Sequence, residues 1–474
     1  MIRDFLETAG FDRQSMHHRT GLMHAPLALH DALYAADPYS FLYESLEGSE
    51  KRGRYSFVGG KPFAVFKSRG RCIEVQIQGR RETLQEDPLS ILHEMLKSCR
   101  NWPPVASFSG GAVGYIAYDA VRLLEKLPDR NPDELDLPDL LFIFPSEMIV
   151  LDHQEHSMDL IVYSGPDGRE HIQDLQARIR NCDAGIPSFS FHPSDSPVGL
   201  ESNMSRETFC SRVAQAKEHI LAGDIFQVVL SQRFRFKQEA PSGSIYRALR
   251  LSNPSPYMYF LRLGGLEILG SSPEILAKST RGTATMRPIA GTRPRGKTSG
   301  LDRDLEQELL HDEKERAEHI MLVDLARNDI GSVCEYGTVK VNERFVVERY
   351  SKVMHLVSLV EGRLRPSCDA IDLLRASFPA GTVTGAPKIR SMEIIDELEP
   401  VRRGVYAGAI GYLGFNGDMD MCIAIRNILL KEGTGYLQAG AGIVSDSIPE
   451  REYEESFNKA RALMQAVEWA GRAG

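Results

Sequence analysis

Short apolar segments of strand length recur along this chain, and they constrain its fold more than any other feature. Before residue 183, alternating segments such as residues 71–78 indicate half-buried strands. After residue 205, apolar strands alternate with helical patterns, and they are predicted at residues 226–230, 268–270, 407–415 and 422–430. Because strands outnumber helices and many are spaced like hairpins, we expect an α+β fold rather than a doubly wound parallel sheet.

One segment interrupts this pattern. Residues 183–205 are rich in proline, serine and glycine and show no periodicity, which predicts a linker or a long surface connection. This divides the chain into an N-terminal region, residues 1–182, and a C-terminal region, residues 206–474. A helix is predicted directly after the linker, where Ser205 begins a Ser-x-x-Thr pattern.

The charge balance excludes several classes of protein. The chain has 56 lysine and arginine residues against 65 aspartate and glutamate residues, a net charge of −9, which argues against a nucleic-acid partner. No apolar signal-peptide core and no run of ~18 apolar residues is present, so we expect no secretion and no membrane partner. Seven cysteines, an odd number with no CxxC pair, favour a reducing cytoplasm over disulfides or a zinc site.

A first pair of glutamates, Glu315 and Glu318, lies at i, i+3 spacing in a predicted helix over residues 311–329. The apolar face of this helix is expected at Ala317, Ile320, Met321 and Leu325.

A second acidic pair, Glu452 and Glu455, lies with Lys459 on the predicted C-terminal helix. Ser447 and Glu450 form a capping-box pattern at its start, with Pro449 near the first turn. The core stripe is expected at Tyr453, Phe457, Ala460, Met464 and Val467.

If both acidic pairs faced one cavity, they would need a cation. Like charges ~4 Å apart repel by about 4 kcal/mol at an effective dielectric near 20. Oxygen ligands select a hard ion, and Mg²⁺ binds one or two carboxylates with water and substrate. The spacing alone is equally consistent with two solvated faces and a surface Glu455–Lys459 ion pair, which is the commoner arrangement.

Two glycine-containing turns are candidate anion sites. GTVTGAPK (381–388) leads into a helix, and its backbone N–H groups resemble an anion cradle, although an ordinary loop-to-helix junction also explains it. In residues 438–447, Gly440 and Gly442 would let backbone amides approach a carboxylate, and a plain glycine turn is the alternative. Single histidines such as His319 and His355 are more often satisfied core or surface residues than catalytic ones.

The order and wording of these segments resemble the chorismate-utilising enzymes, and within them the anthranilate synthases, component I. The resemblance rests on SSPEIL (271–276), RPIAGTRPRG (287–296), EHIMLVDLARND (318–329), VMHLVS (353–358), GTVTGAPK (381–388), YAGAIGY (406–412), IRN (425–427), AGAGIVSDS (439–447) and EREYEESFNKA (450–460). FLYESLEGSEKRGRYSFVG (41–59) and GGAVGYIAYD (110–119) extend it into the N-terminal third.

Two positions sort the chain within this family. Ala290 stands in RPIAGT where aminodeoxychorismate synthases characteristically carry a lysine that is thought to attack the ring. Gln227 stands where isochorismate-type synthases carry a lysine that activates water. Both residues favour ammonia as the nucleophile. The alternatives are an aminodeoxychorismate or isochorismate-type synthase, or a catalytically idle relative that binds tryptophan.

The resemblance implies a fold and a metal site. The fold would consist of two orthogonally packed antiparallel sheets flanked by helices, with a cleft active site. The N-terminal and C-terminal parts would interdigitate. Chorismate would bind as its Mg²⁺ complex, held by Glu318 and Glu455, with Glu315 and Glu452 as neighbouring or water-mediated ligands.

The resemblance also implies roles for the other matched residues in a reaction that converts chorismate and ammonia to anthranilate and pyruvate. Glu274 would be the general acid for the departing hydroxyl, and His355 would serve pyruvate elimination. The enolpyruvyl carboxylate would meet Tyr406, Arg426 and the backbone of Gly440, Ala441 and Gly442. Completing the pocket are Gly291, Thr292, Thr382, Gln227 and Lys459.

The resemblance further implies a partner and a regulator. No cysteine lies in a GxCxG setting, so ammonia would come from a separate glutamine amidotransferase subunit, component II, in a hetero-oligomer, or from free ammonium. Tryptophan, the feedback inhibitor, would contact Ser45, Pro256, Tyr257 and Met258. Tyr43 departs from the LLES wording of the family and leaves inhibitor sensitivity open.

Overall fold

A computed structural model describes residues 2–21, 23–46, 53–99, 101–164, 167–182, 199–350 and 353–471. Its α-helices are α1 (Ile2–Thr8), α2 (Pro26–Tyr34), α3 (Pro88–Ser98), α4 (Gly168–Arg180), α5 (Arg206–Leu221), α6 (Ser242–Ser252), α7 (Ser299–His311), α8 (Glu313–Gly331), α9 (Ala370–Ser377), α10 (Lys388–Leu398) and α11 (Pro449–Ala470). Short 3₁₀ helices span Tyr118–Leu123 and Gly381–Val383. Among the described residues, no helix is both long and apolar enough to cross a membrane.

The strands of the described residues are β1 (Gln14–Thr20), β2 (Tyr39–Glu44), β3 (Tyr55–Arg69), β4 (Cys72–Ile77), β5 (Arg80–Gln85), β6 (Gly111–Ile116), β7 (Leu140–Asp152), β8 (Ser157–Ser164), β9 (Glu201–Ser202), β10 (Gln227–Lys237), β11 (Tyr257–Leu263), β12 (Leu266–Ser272), β13 (Ile275–Thr280), β14 (Thr283–Met286), β15 (Ile289–Pro294), β16 (Lys340–Arg349), β17 (Val353–Arg363), β18 (Gly385–Ala386), β19 (Ala409–Gly414), β20 (Met419–Ile423), β21 (Asn427–Lys431) and β22 (Thr434–Ile443).

Hydrogen bonding joins these strands into one antiparallel network, which confirms the predicted α+β class. One row runs β1–β8–β7–β3–β2–β11–β12–β21–β22–β10. A second row leaves β7 through β6, β19, β20, β13, β14 and β17. The family resemblance implies two packed sheets. In the structure the two rows of strands are joined by hydrogen bonds between β7 and β6.

The two halves of the chain share this network. Strand β2 pairs with β11, so that Glu44 lies opposite Met258, and β6 pairs with β19. Residues 183–198 of the predicted linker lie outside the described residues, and the remainder contains β9, which pairs with β10.

The sequence pattern anticipated several elements correctly. Residues 71–78 contain β4, and the predicted helix after the linker is α5, whose N-cap Ser205 accepts a hydrogen bond from the Thr208 N–H. The predicted stripe of α11 also faces the core, since Ala460, Met464 and Val467 are buried.

Three local predictions were wrong. Residues 422–430 do not form one strand, because the backbone turns at Arg426, where φ is 53°, between β20 and β21. The capping box is absent, because Ile448 is the N-cap of α11 and the Ser447 hydroxyl accepts from the Val444 N–H instead.

The apolar face of α8 was the third wrong prediction. The buried face is His319, Leu322, Ala326 and Ile330, whereas Ala317 and Ile320 are exposed. His319 is fully buried, and its Nε2 lies 2.7 Å from the Ser358 hydroxyl, so it is a core histidine as predicted, although its Nδ1 has no hydrogen-bond partner among the described residues.

Candidate active site

The two acidic pairs lie near the N-terminal ends of α8 and α11. Asp312 caps α8 by accepting from the backbone N–H groups of Lys314 and Glu315. An ion pair of 2.8 Å between Lys314 Nζ and Asp446 joins α8 to the turn that precedes α11. Glu315 is held by Arg293, whose Nη1 lies 3.2 Å from its carboxylate.

The carboxylates on the two helices act on one another. Burial raises the pKa of Glu318 above its usual range, and the negative charges of Glu315 and Glu455 raise it further. Burial also raises the pKa of Glu452, and Glu455 adds to that effect. The two acidic pairs are therefore close enough for their charges to interact, and Glu455 remains exposed to solvent.

These oxygen donors match a hard cation better than a transition metal. Among the described residues, however, no three histidine, cysteine, aspartate or glutamate side chains are gathered as a ready-made metal site. A magnesium ion requires only one or two carboxylates, because water and substrate complete its shell. The arrangement fits such an ion.

Gln227 lies at the start of β10 and faces the same carboxylates. Its side-chain Nε2 donates to Glu318 Oε1 at 3.5 Å, and its backbone carbonyl accepts from the Ser391 hydroxyl at 3.0 Å. Residues Ala441 and Gly442 lie opposite on β22, paired with Leu230 and Val229. The carboxamide is thus fixed at the edge of the acidic cluster.

Lys459 connects α11 to β22. Its Nζ donates to the Gly440 carbonyl at 3.0 Å and to Glu455 Oε1 at 2.7 Å. The Glu455 side chain is 52% exposed and that of Lys459 33%, so the predicted i, i+4 ion pair exists at the mouth of the site.

Arg426 lies at the break between β20 and β21. Burial lowers the pKa of its guanidinium, and the negative charges of Glu274 and Glu455 act in the opposite direction. Tyr406 is also buried, which raises the pKa of its phenol to about 12. A Cβ atom at Gly440 would lie 2.6 Å from the Leu230 carbonyl oxygen and 3.0 Å from the Tyr406 hydroxyl, so the close packing at this position requires glycine. Together these residues form a buried cationic and hydrogen-bonding corner.

Glu274 follows β12, and its negative charge acts on both Arg426 and Tyr406 of this corner. Thr382 Oγ1 donates to its Oε2 at 2.9 Å. Burial raises the pKa of Glu274, against the lowering effect of the Thr382 hydrogen bond and of the Arg426 and Lys459 charges. A carboxyl group with a raised pKa retains its proton to a higher pH than an exposed glutamate, which suits a proton donor.

His355 lies on β17 opposite Thr292. Its Nδ1 is 2.9 Å from the Gly291 carbonyl and 3.1 Å from Thr292 Oγ1, and burial lowers the pKa of the imidazole. Gly291 has φ of 63° at a bulge in β15, a conformation that turns its carbonyl toward the ring. If Nδ1 donates to this carbonyl, the neutral ring leaves Nε2 free to accept a proton.

A separate cavity of about 280 Å³, here called the aromatic cavity, holds all four residues of the expected inhibitor site, namely Ser45, Pro256, Tyr257 and Met258. The Tyr257 hydroxyl donates to Asp420 at 2.9 Å, and Lys278 Nζ donates to the other Asp420 oxygen at 2.8 Å. Tyr43 also lines the cavity, and its hydroxyl donates to the Gly411 carbonyl at 2.8 Å.

The aromatic cavity and the catalytic cleft meet at one segment. Pro273 and Ile275 line the cavity, whereas Glu274 between them bonds to Thr382 on the cleft side. Successive side chains of an extended chain point in opposite directions, so this segment presents one residue to the cleft and its two neighbours to the cavity.

The sequence and the fold were both compared with those of known proteins. Residues 40–465 match the chorismate binding enzyme family. The chain belongs to this family.

Its relatives narrow the comparison. The chain is 47% identical over 448 residues to anthranilate synthase component 1 of Acetivibrio thermocellus, covering 91% of this chain and 90% of the relative. It is 46% identical over 449 residues to the protein of that name from Thermus thermophilus, covering 94% and 96%. These relatives agree with the resemblance based on motifs.

Solved structures agree with the fold. Anthranilate synthase component I from Streptococcus pneumoniae superposes with a TM-score of 0.79 at 38% identity, covering 88% of this chain and 93% of that one. The menaquinone-specific isochorismate synthase of Escherichia coli gives 0.74 at 19% identity, covering 98% of each chain, and so shares the fold.

Motif reasoning missed one buried group beside this chorismate-family site. Arg403 and Glu399 form an ion pair of 2.6 Å, and their side chains are 1% and 3% exposed. Their i, i+4 spacing at the end of α10 was a possible signal, but such spacing is far commoner in surface pairs.

Proposed function

We propose that this chain is component I of an anthranilate synthase, which converts chorismate and ammonia to anthranilate and pyruvate in the tryptophan pathway. The observation that carries the proposal is the half-buried acid Glu274, bonded to Thr382 and close to the cationic corner of Arg426. The relatives' names support it, and so do Ala290 and Gln227, because neither can act as a lysine nucleophile or base.

We propose Glu318 and Glu455 as the residues that would hold Mg²⁺, with Glu315 and Glu452 acting through water. The bound ion would supply Lewis-acid polarisation of the substrate's ring carboxylate. The Arg293 pair with Glu315 supports an outer role for that glutamate, since its carboxylate already has a cationic partner.

The cationic corner would bind the second carboxylate of chorismate. Arg426 offers the planar fork that matches a carboxylate, and the Tyr406 hydroxyl and the β22 backbone near Gly440 lie beside it. Two carboxylate sites on opposite sides of the cleft would fix the ring between them.

Glu274 would protonate the departing ring hydroxyl while ammonia adds to the ring. Its raised pKa keeps the carboxyl protonated at a higher pH than an exposed glutamate. Neutral ammonia is already nucleophilic, so Gln227 needs only to shape the pocket. His355 would then accept the proton in the elimination of pyruvate, through the Nε2 left free by the Gly291 contact.

Ammonia would reach this site from a glutamine amidotransferase subunit in a hetero-oligomer, or from free ammonium. Tryptophan would inhibit by binding in the aromatic cavity. All seven cysteines are free thiols in the structure, which supports a cytoplasmic location.

The deciding experiment uses the purified chain alone with chorismate, Mg²⁺ and ammonium at mildly alkaline pH. Equimolar anthranilate and pyruvate, identified by fluorescence and mass, are expected. Isochorismate or aminodeoxychorismate as the product would refute the proposed reaction. Tryptophan binding without turnover would indicate an idle relative.

A second test isolates the elimination step. His355→Met should let the amino intermediate accumulate while chorismate is still consumed, because the side chain retains its bulk but cannot accept a proton. His311→Met is the matched control, since it makes the same substitution at an exposed histidine whose Nδ1 lies 2.7 Å from the Gln307 carbonyl. Undiminished pyruvate release by His355→Met would remove His355 from the mechanism.

A further inference from the structure

Arg403 is the most buried arginine of the chorismate-family site, with 2% of its surface exposed. Its Nε and Nη2 donate to the two Glu399 oxygens at 2.9 and 2.6 Å. Its Nη1 donates to the Val383 carbonyl and its Nη2 to the Val229 carbonyl, each at 2.7 Å. The side chain is therefore held at several points, and each of its three nitrogens has an acceptor.

These acceptors belong to different walls of the cleft. Val383 follows Thr382, the hydrogen-bond donor to Glu274. Val229 lies on β10, opposite Gly442 of β22. One guanidinium thus connects the proton-donor side of the pocket to the strands on which the carboxylate side is built.

Glu399 extends the connection along β10. Its Oε1 accepts from the backbone N–H of Ser231 at 2.8 Å and from the Ser231 hydroxyl at 2.7 Å. Ser231 lies directly opposite Gly440, the residue approached by Tyr406 and bonded by Lys459. The guanidinium carbon also lies 5.6 Å from the centre of the Tyr406 ring.

We propose that Arg403, with Glu399, is a positioning residue that fixes the spacing between the proton donor Glu274 and the carboxylate-binding corner of Tyr406 and Gly440. The proposal rests on the proposed function for the roles of these groups. Arg403 is buried against protein acceptors and does not itself bind substrate. Only a planar fork with several N–H groups can bridge two carbonyls and a carboxylate simultaneously, so a lysine cannot replace it.

Two variants test the proposal. Arg403→Met/Glu399→Gln removes the buried charges as a pair, so that no unpaired charge remains, and the glutamine still offers an acceptor to Ser231. Arg403→Lys keeps a cation opposite Glu399 but cannot span the Val229 and Val383 carbonyls. The control is Arg178→Met/Glu147→Gln, an ion pair of 2.7 Å between α4 and β7 in which Glu147 is buried and Arg178 is 25% exposed.

We expect the KM for chorismate to rise at least tenfold in both Arg403 variants, while the KM for ammonium stays within twofold of wild type. The control should change neither constant by more than twofold. A role in stability alone would lower the melting temperature and the active fraction, and hence kcat, without changing KM. A chorismate KM within twofold of wild type in Arg403→Lys would overturn the proposal. If the double variant does not fold, the KM of Arg403→Lys alone decides the test.

Calorimetric titration of chorismate with Mg²⁺ and without ammonium separates this proposal from the proposed function. A wild-type chain that binds chorismate in this titration, but forms no anthranilate in the separate assay with ammonium, would refute the proposed function alone. The dissociation constants of the variants would still decide the role of Arg403, with the same tenfold rise expected. Absence of chorismate binding by the wild type would refute both.

Discussion

The catalytic cleft and the aromatic cavity differ in how their charged groups are compensated. In the cavity, Asp420 has two partners, the Lys278 ammonium and the Tyr257 hydroxyl. In the cleft, Glu318 receives one hydrogen bond from the described residues, at 3.5 Å from Gln227. Glu315 and Glu455 place negative charge around it, and Lys314 offsets part of that charge. The acid of the cavity is thus paired within the protein, whereas the acids of the cleft are only partly compensated, in line with the proposal that they would hold Mg²⁺.

The largest expected effect concerns the carboxylate of Glu318. Glu318→Gln should abolish turnover at any Mg²⁺ concentration, a loss well above ~100-fold, because losing even an indirect metal partner costs 10–100-fold. Tryptophan affinity should stay within twofold, since the cavity does not include Glu318. Asp324→Asn, on the exposed face of the same helix, is the control for steady-state assays. Wild-type-like activity in Glu318→Gln would remove this residue from the ligand set.

The next test perturbs the acid without removing it. Thr382→Val deletes the hydrogen bond that stabilises the Glu274 carboxylate, so the pKa of Glu274 should rise further. Because the protonated acid is the active form, the alkaline limb of the kcat profile should move to higher pH. The profile should be recorded at constant free ammonia.

Thr384→Val is the matched control for that profile. It removes a hydroxyl from the same turn, but this hydroxyl bonds to the Ala380 carbonyl and does not touch Glu274. An alkaline limb that moves equally in both variants would show that loop packing, and not the Thr382 donor, sets the profile.

A smaller effect is expected in the cavity. Ser45→Ala should weaken tryptophan binding by roughly fivefold, since one hydrogen bond contributes about 1 kcal/mol and about 1.4 kcal/mol is a factor of ten. The kcat without tryptophan should be unchanged. Inhibition curves and calorimetry measure both, and an unchanged inhibition constant would place the ligand away from Ser45.

The smallest effect concerns Tyr43. Tyr43→Phe removes the hydrogen bond to the Gly411 carbonyl and should lower the free energy of unfolding by about 1 kcal/mol. Denaturant unfolding measures this, with Tyr436→Phe, a half-buried tyrosine on β22, as the control. A large gain in tryptophan affinity would instead show that the Tyr43 hydroxyl obstructs the cavity.

Local patterns predicted elements well where one interaction dominates. Ser205 caps α5 as expected, because its hydroxyl lies within reach of both the Thr208 N–H and the Thr208 hydroxyl of the first turn. Ser447 failed as a cap because the Val444 N–H lies within reach of the same hydroxyl. The face of α8 was misjudged because His319 is buried against Ser358 while Ile320 stays exposed, which apolar periodicity cannot anticipate.

The same limit applies to the site. The glutamate pairs could be found from spacing, because both members lie on one helix. The strand break at Arg426 could not, since its surroundings are apolar and typical of a continuous strand. The contacts of Arg403 could not be predicted either, because two of its acceptors are backbone carbonyls, which every residue type carries.

The pairing of β2 with β11 and of β6 with β19 has a consequence for dividing the gene. A polypeptide of residues 206–474 alone would expose two strand edges, and unpaired edges favour aggregation. Residues 1–182 carry the two strands that match those edges. Two separately translated pieces would therefore complement each other by strand addition, as a split enzyme whose halves reassemble when they are produced together.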